Sequence, residues 1–388
     1  MPSKSVTMIH SATKLPALTG LRFLAAFAVL ISHFNYRGVV SVPTAIINFV
    51  DGGRTAVSLF FVLSGFILAY NYSSLSGRSG RIKFYASRFA RIYPVTILAV
   101  VLGSIGVIYA LLNRSTGALL DWYSLKEASV LNLGGSLFAQ ITTLTGWLPA
   151  ASLNQPWNSP AWSISCEVFF YALFPALVVV MRKLSSIHMT ILLLSAFVGQ
   201  CLIIFAARTF FPLGQEGFIV FQFPLTHLFE FLIGVAAALL FIRGGEDWMK
   251  VGCRRIIVLA ASLTILSTIA VFRPIDPAFL LMSPFFALLI LALAVKPKRQ
   301  ESILAWRPVV LLGEASFSLY MIHVPLLNLY SVGKFPNTVG WILMTMTILL
   351  SIGVYKWFET PLRIHVRSAI VKRALGTPKR HLRTDASN

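Results

Sequence analysis

Arg22 and His33 stand eleven positions apart in the apolar stretch LTGLRFLAAFAVLISHF, residues 18–34. On a helix that spacing puts both side chains within roughly 20° of one face, about 16 Å apart along the axis. A guanidinium in the hydrocarbon core costs between roughly 3 and 15 kcal/mol, so this face must point into a bundle. Imidazole titrates near neutrality and suits general base work, whereas guanidinium suits phosphate. The other ionisable residues within or at the edges of apolar segments are Glu167, His227, Glu230, Glu314, His323 and Glu359. His227 and Glu230, at i and i+3, share a helical face and can pair. His33, His323 and Glu167 are the types that acid–base chemistry uses, although a proton-relay transporter would use the same types.

The elements that must position these residues are membrane helices. The 388-residue chain is 57% hydrophobic and 12% charged, a surface that a soluble domain cannot hide. The apolar runs are continuous rather than alternating, which excludes a β-barrel. An all-α, polytopic transmembrane bundle of about ten spans is expected, at about 17–35, 55–72, 92–112, 164–181, 187–207, 217–242, 256–272, 277–295, 308–329 and 339–357. A further stretch, SLFAQITTLTGWLPA at 136–150, is too short to cross and reads as re-entrant or interfacial. The first span follows Lys4 and Lys14 but has no small-residue cleavage site, and reads as a retained anchor.

The formal net charge of +20 comes from basic residues scattered between spans. That pattern belongs to membrane topology rather than to nucleic acid. With the N-terminus inside, the inner loops hold Arg78, Arg81, Lys83, Arg88, Arg91, Arg182, Lys183, Arg243, Lys250, Arg254 and Arg255, with more in the last inner loop and the tail. The outer loops hold only Arg37, Arg54, Arg114, Lys126, Arg208, Arg273 and Lys334. Both termini are therefore expected in the cytoplasm, around a membrane domain at 17–362. A cytoplasmic segment at 1–16 precedes it. A basic tail at 363–388 follows, unstructured or lying on anionic headgroups. The three cysteines, Cys166, Cys201 and Cys253, show neither a disulfide framework nor a metal-ligand spacing, and no metal is expected.

This orientation gives each candidate a depth. Arg22 falls in the cytoplasmic half. His33 and His323 fall at similar depth in the outer half, and Glu167, near the start of a descending span, falls with them. Arg88 and Arg91 share a helical face at the cytoplasmic surface, where they either meet a phosphate or form an ordinary basic cluster. The long polar segment 113–163 lies outside, and loops of that length are often functional.

Seven segments occur in an order that resembles the membrane acyltransferase 3 family. They are LTGLRFLAAFAVLISHF, VSLFFVLSGFILAY (57–70), FYASRFARIYP (84–94), NSPAWSISCEVFFYALFP (158–175), FEFLIGV (229–235), SFSLYMIHVPLL (316–327) and FETPLR (358–363). The resemblance runs to about residue 363. It implies a multi-pass enzyme of the cytoplasmic membrane that moves an acyl group, most often acetyl, from acyl-CoA to a hydroxyl of a glycan or lipid-linked sugar. Acyl-CoA is then a donor substrate, with no resident cofactor. Many relatives carry an extracytoplasmic hydrolase-like domain after the membrane part, and this chain is expected to be a member without one.

On that resemblance His33 is the first candidate for the base. His323 would assist it, stabilise the oxyanion, bind the acceptor or only bridge two helices. Glu167 would orient a histidine, or else pair with Arg54 or Trp162. Arg22 would meet the donor's phosphates or carbonyl, with a structural pair to Glu359 as the alternative, and Arg88 and Arg91 would hold CoA phosphates. Ser163 and Ser165 are candidates for contacting the acceptor or for structure, and Trp157 and Trp162 for stacking on a sugar or anchoring at the interface. Two competing readings are a proton-coupled transporter or flippase and a non-catalytic scaffold. Within the enzyme reading, a small molecule such as an antibiotic sugar is the alternative acceptor.

Overall fold

The computed structural model describes residues 15–50, 53–73, 75, 77–112, 130–272, 276–295, 302–332 and 336–376. Residues 1–14 and 377–388, which hold most of the expected N-terminal segment and half of the basic tail, lie outside them, as do 113–129. Each of the ten apolar segments is helical. Among the described residues eight helices are long and apolar enough to cross a membrane, and a ninth span is a bent pair, Arg307–Glu314 with Ser316–Tyr330, angled by 59°. The tenth segment, Phe279–Ala294, is only 16 residues long, or about 24 Å at the helical rise, short of a bilayer core of roughly 30 Å.

The helices that build the site are α1 (Pro16–Tyr36), α2 (Thr44–Val50), α3 (Arg54–Tyr72), α4 (Gly77–Leu112), α5 (Val130–Ile141), α6 (Trp162–Met181), α7 (Ser186–Phe210), α8 (Gln215–Phe221), α9 (Leu228–Leu240), α10 (Arg254–Phe272), α11 (Phe279–Ala294), α12 (Arg307–Glu314), α13 (Ser316–Val332), α14 (Asn337–Val354) and α15 (Thr360–Leu375). Helices α3 and α9 form an extensive pair with a close backbone approach. A Cβ on Gly65 would lie 2.2 Å from the Phe231 carbonyl oxygen, and one on Gly234 would lie 2.0 Å from that of Val62. In lipid, small residues of this kind let backbones approach where the hydrophobic effect cannot drive association. Around this pair Phe61, Phe170, Phe231 and Phe174 stack edge to face and face to face.

Several elements depart from the sequence reading. The expected span 217–242 is two helices, α8 and α9, because Pro224 removes a donor and disfavours helix at Phe223. The segment 308–329 breaks between α12 and α13, where the Ser316 hydroxyl donates to the Gly313 carbonyl at 2.7 Å. Helix α4 begins at Gly77 rather than at 92 and runs for 36 residues through Pro94. The tail is helical through α15 to Leu375 rather than unstructured, joined to α14 by the wide turn Tyr355–Glu359. Residues 130–161 do not cross: α5 has 12 residues, and short turns at Thr145–Trp147 and Ser159–Ala161 lead straight into α6. The buried Gln140 amide clamps this segment, donating to the carbonyls of Pro156 (3.0 Å) and Asn158 (3.1 Å).

Candidate active site

Helix α1 presents His33 and Arg22 on its inward face, as their spacing requires, and the two side chains open on different cavities. The outer cavity has a volume of about 740 Å³ and is lined by His33, Arg54, Val57, Trp162, His227 and Tyr320 among others. Beneath it lies a small cavity of about 40 Å³, bounded by Arg22, Arg91, Ser163, Glu167, Val57 and Tyr320. A third, of about 50 Å³, is bounded by Arg22, Arg88, Arg91, Glu167 and Tyr171. Each adjoins the next through shared residues. Val57 and Tyr320 stand between the first two, and Arg22, Phe60, Arg91 and Glu167 between the last two. Helices α1, α3 and α6 record the same descent, with α6 contributing Trp162, then Ser163 and Glu167, then Tyr171.

His33 and His323 meet in the outer part. His33 Nδ1 lies 2.8 Å from His323 Nε2, and the rings are nearly parallel, 11° apart. His323 Nδ1 lies 2.6 Å from the Tyr320 backbone carbonyl. A carbonyl can only accept, so His323 carries its proton on Nδ1. Its Nε2, bare in the neutral ring, must accept from Nδ1–H of His33. The second nitrogen of His33, Nε2, is then the bare one. Among the described residues no group bonds to that atom, and His33 lines the large cavity. A chain of two hydrogen bonds thus leaves one lone pair on His33, a residue in the wall of the large cavity.

Three arginines collect around the two lower cavities. Arg88 donates to Ser87 at 3.1 Å and lies over the rings of Tyr72 and Tyr171. Arg22 and Arg91 make no hydrogen bond or ion pair among the described residues. The charges within reach of Arg22 are Arg91, Glu167 and Glu359. Glu359 is occupied elsewhere, accepting from Ser318 at 2.6 Å and pairing with Arg363 at 3.9 Å. Two carboxylates, Glu167 and Glu359, thus lie within electrostatic reach of Arg22 and Arg91, and Glu167 accepts from the Tyr171 hydroxyl at 2.9 Å. Three guanidiniums against two carboxylates leave these cavities with a positive charge of the kind that suits an anion.

Glu167 is therefore not beside the histidines, where its position near the start of a span would put it. Helix α6 begins inside the bundle, because residues 142–161 re-enter. Glu167 sits about 7.5 Å below Trp162 by helical rise, at the level of Arg22. Arg54, the alternative partner, lies instead over the Phe221 ring at 4.2 Å. Trp162 lines the outer cavity, while Trp157 is not among its walls. Ser163 donates to the Pro160 carbonyl at 3.0 Å, and Ser165 ties down the re-entrant turn through Thr145 (3.1 Å) and the Gly146 amide (3.0 Å). His227 and Glu230 do pair, at 3.0 Å. Glu230 also accepts from Gln200 at 3.0 Å, a partner from another helix that spacing along one chain segment could not reveal. Tyr320 stands out only in the structure, although its place three residues before His323 was visible.

The fold and the site are those of an integral membrane protein that holds an imidazole pair above an arginine-lined cavity. The family model described as an acyltransferase domain, acyltransferase 3, matches residues 15–356, and the chain belongs to that family. It is 29% identical to "Acyltransferase MdmB" of Streptomyces mycarofaciens over 330 residues, 80% of this chain and 78% of that protein. It is 24% identical to "O-acetyltransferase OatA" of Staphylococcus aureus over 392 aligned positions, 93% of this chain but 59% of that protein. No solved structure matches it significantly.

Proposed function

We propose that the protein is an O-acyltransferase of the cytoplasmic membrane, moving an acyl group, most simply acetyl, from acyl-CoA to a hydroxyl of a glycan or lipid-linked sugar. The observation that carries this reading is the string of three adjoining cavities, with arginines at one end and the bare Nε2 of His33 at the other. The phosphates of a CoA donor would meet Arg22, Arg88 and Arg91, and its thioester would extend toward the outer cavity, where the acceptor enters. The name of the relative OatA supports an acetyl group and an oxygen acceptor.

In the proposed reaction His33 Nε2 removes the proton from the acceptor hydroxyl as its oxygen attacks the thioester carbon. The carbonyl π pair moves onto oxygen. The tetrahedral adduct then collapses, the C–S bond breaks, and the departing CoA sulfur takes the proton back from His33. His323 keeps His33 in the productive tautomer and shares the transient positive charge. A transporter reading is disfavoured by the same geometry: the imidazole chain ends on the backbone carbonyl of Tyr320, which cannot pass a proton onward.

Membranes containing the protein are expected to incorporate label from radiolabelled acetyl-CoA, and His33→Ala to reduce incorporation by about 10²- to 10⁴-fold. Undiminished incorporation by the variant would remove the base assignment. Glycan and small-molecule fractions counted separately decide between a glycan and an antibiotic-type sugar as acceptor.

A further inference from the structure

Resting on that reading, the reacting thioester carbonyl must sit where the donor and acceptor cavities meet. Its carbon has to come within bonding distance of an oxygen activated by His33, while the rest of the donor stays with the arginines. The residues common to the outer and middle cavities are Val57 and Tyr320. Of these only Tyr320 carries a polar side-chain group. Its hydroxyl points at the Pro160 carbonyl across a long 3.4 Å, and the same carbonyl already receives Ser163 Oγ at 3.0 Å. Ser163 lines the middle cavity as well. Two hydroxyl donors therefore converge at the junction, both resting on one neutral acceptor. The Tyr320 ring is held by an edge contact with Phe60, and its backbone carbonyl fixes His323.

We infer that Tyr320 is a further catalytic residue, the hydroxyl that stabilises the oxyanion formed on the thioester carbonyl, with Ser163 as the second donor of the hole. A hydrogen bond to a charged oxygen is about twice as strong as one to a neutral carbonyl. The Tyr320 hydroxyl, loosely held on Pro160, turns to the oxyanion as charge develops and returns when the adduct collapses. No proton is transferred to or from it. One helical turn of α13 then serves both halves of the reaction: its carbonyl sets the tautomer of the base, and its phenol meets the charge that the base creates. Tyr320 and Ser163 are both buried, and such donors act most strongly out of bulk water.

The test is Tyr320→Phe, which deletes one oxygen and keeps the backbone carbonyl. Wild type, Tyr320→Phe, Ser163→Ala and His33→Ala are assayed together in membranes with radiolabelled acetyl-CoA, with rates normalised to folded protein. Tyr320→Phe is expected to lower kcat by about 10²-fold, the scale of losing one oxyanion donor, with the KM for acetyl-CoA within twofold of wild type. Ser163→Ala is expected to lose about tenfold in kcat. A Tyr320→Phe enzyme with kcat within threefold of wild type, or one that changes only KM, overturns the inference while leaving the acyltransfer reading in place. If Tyr320→Phe does not fold, Ser163→Ala decides, and an unchanged kcat there overturns it. Wild type without transfer, or His33→Ala with full transfer, overturns the underlying reading and this inference with it.

Discussion

At the scale of single residues, what separates the two histidines is the direction of one proton. The Tyr320 carbonyl forces His323 to donate from Nδ1 and to receive at Nε2, so His33 alone has a free lone pair. A residue at position 323 that can still accept from His33 preserves this order. His323→Gln offers a carbonyl oxygen and His323→Ala offers nothing. His323→Ala is expected to lose between about 10² and 10⁴ in kcat, and His323→Gln to recover at least tenfold of that loss, read from initial rates of label transfer. Equal losses in both variants would leave His323 with a packing role. Arg91→Gln acts at the other end: loss of a charge-assisted bond to a donor phosphate should raise the KM for acetyl-CoA about tenfold and leave kcat nearly unchanged. The pairing of His33 with His323 was legible in the sequence through matched depth on two spans. The place of Glu167 was not, because depth was counted from the membrane surface and α6 starts within the bundle. Which histidine is the base depends on a backbone carbonyl, a group that every residue carries and no sequence pattern marks.

At the scale of elements, the contact of α3 with α9 sets the distance between the walls of the site, since α3 carries Arg54 and Val57 and α9 follows His227. This contact is made of backbone against backbone at Gly65 and Gly234. Alanine at either position would drive a methyl to within 2.2 Å of an opposing carbonyl oxygen, and overpacking of that kind costs about 1–3 kcal/mol or more. Gly234→Ala is expected to lower the melting temperature of the detergent-solubilised protein and to broaden its size-exclusion peak. Gly199→Ala on α7, where nothing lies within 4 Å of the added Cβ, should melt at or slightly above the wild-type temperature. Similar melting of the two variants would argue against the close approach. Hydropathy read the helices themselves correctly as apolar runs. It missed the break before α9 and the bend at Ala315, where local proline and capping chemistry divides a run of unbroken hydrophobicity. It also missed the start of α4, whose first turns are polar because they extend past the apolar stretch.

At the scale of the whole molecule, two elements are too long for the membrane. Helix α4 has 36 residues and the run Thr338–Leu375 has 38, each more than 50 Å at the helical rise, against a core of roughly 30 Å. Helix α4 packs against α15, the C-terminal part of that run, and the polar ends carry Arg78, Arg81 and Lys83 on one and Arg363, Arg367, Lys372 and Arg373 on the other. The alternation of Lys and Arg between loops predicts that this end faces the cytoplasm. The arginine-lined cavities lie toward the same end and the histidine cavity away from it. Composition alone announced a membrane protein, but the cavities arise between helices distant in sequence, and only their packing reveals them. On the proposed function the reaction would be vectorial, with donor entering from the cytoplasmic side and acceptor from the other. Acetyl-CoA does not cross a bilayer, so the sidedness can be measured directly in sealed vesicles of opposite orientation. Inverted vesicles given external radiolabelled acetyl-CoA should transfer label at full rate. Right-side-out vesicles should transfer none until a detergent opens them. Equal rates in the two sealed preparations would mean that the donor reaches the site from the outer side, and the assignment of Arg22, Arg88 and Arg91 to its phosphates would fall.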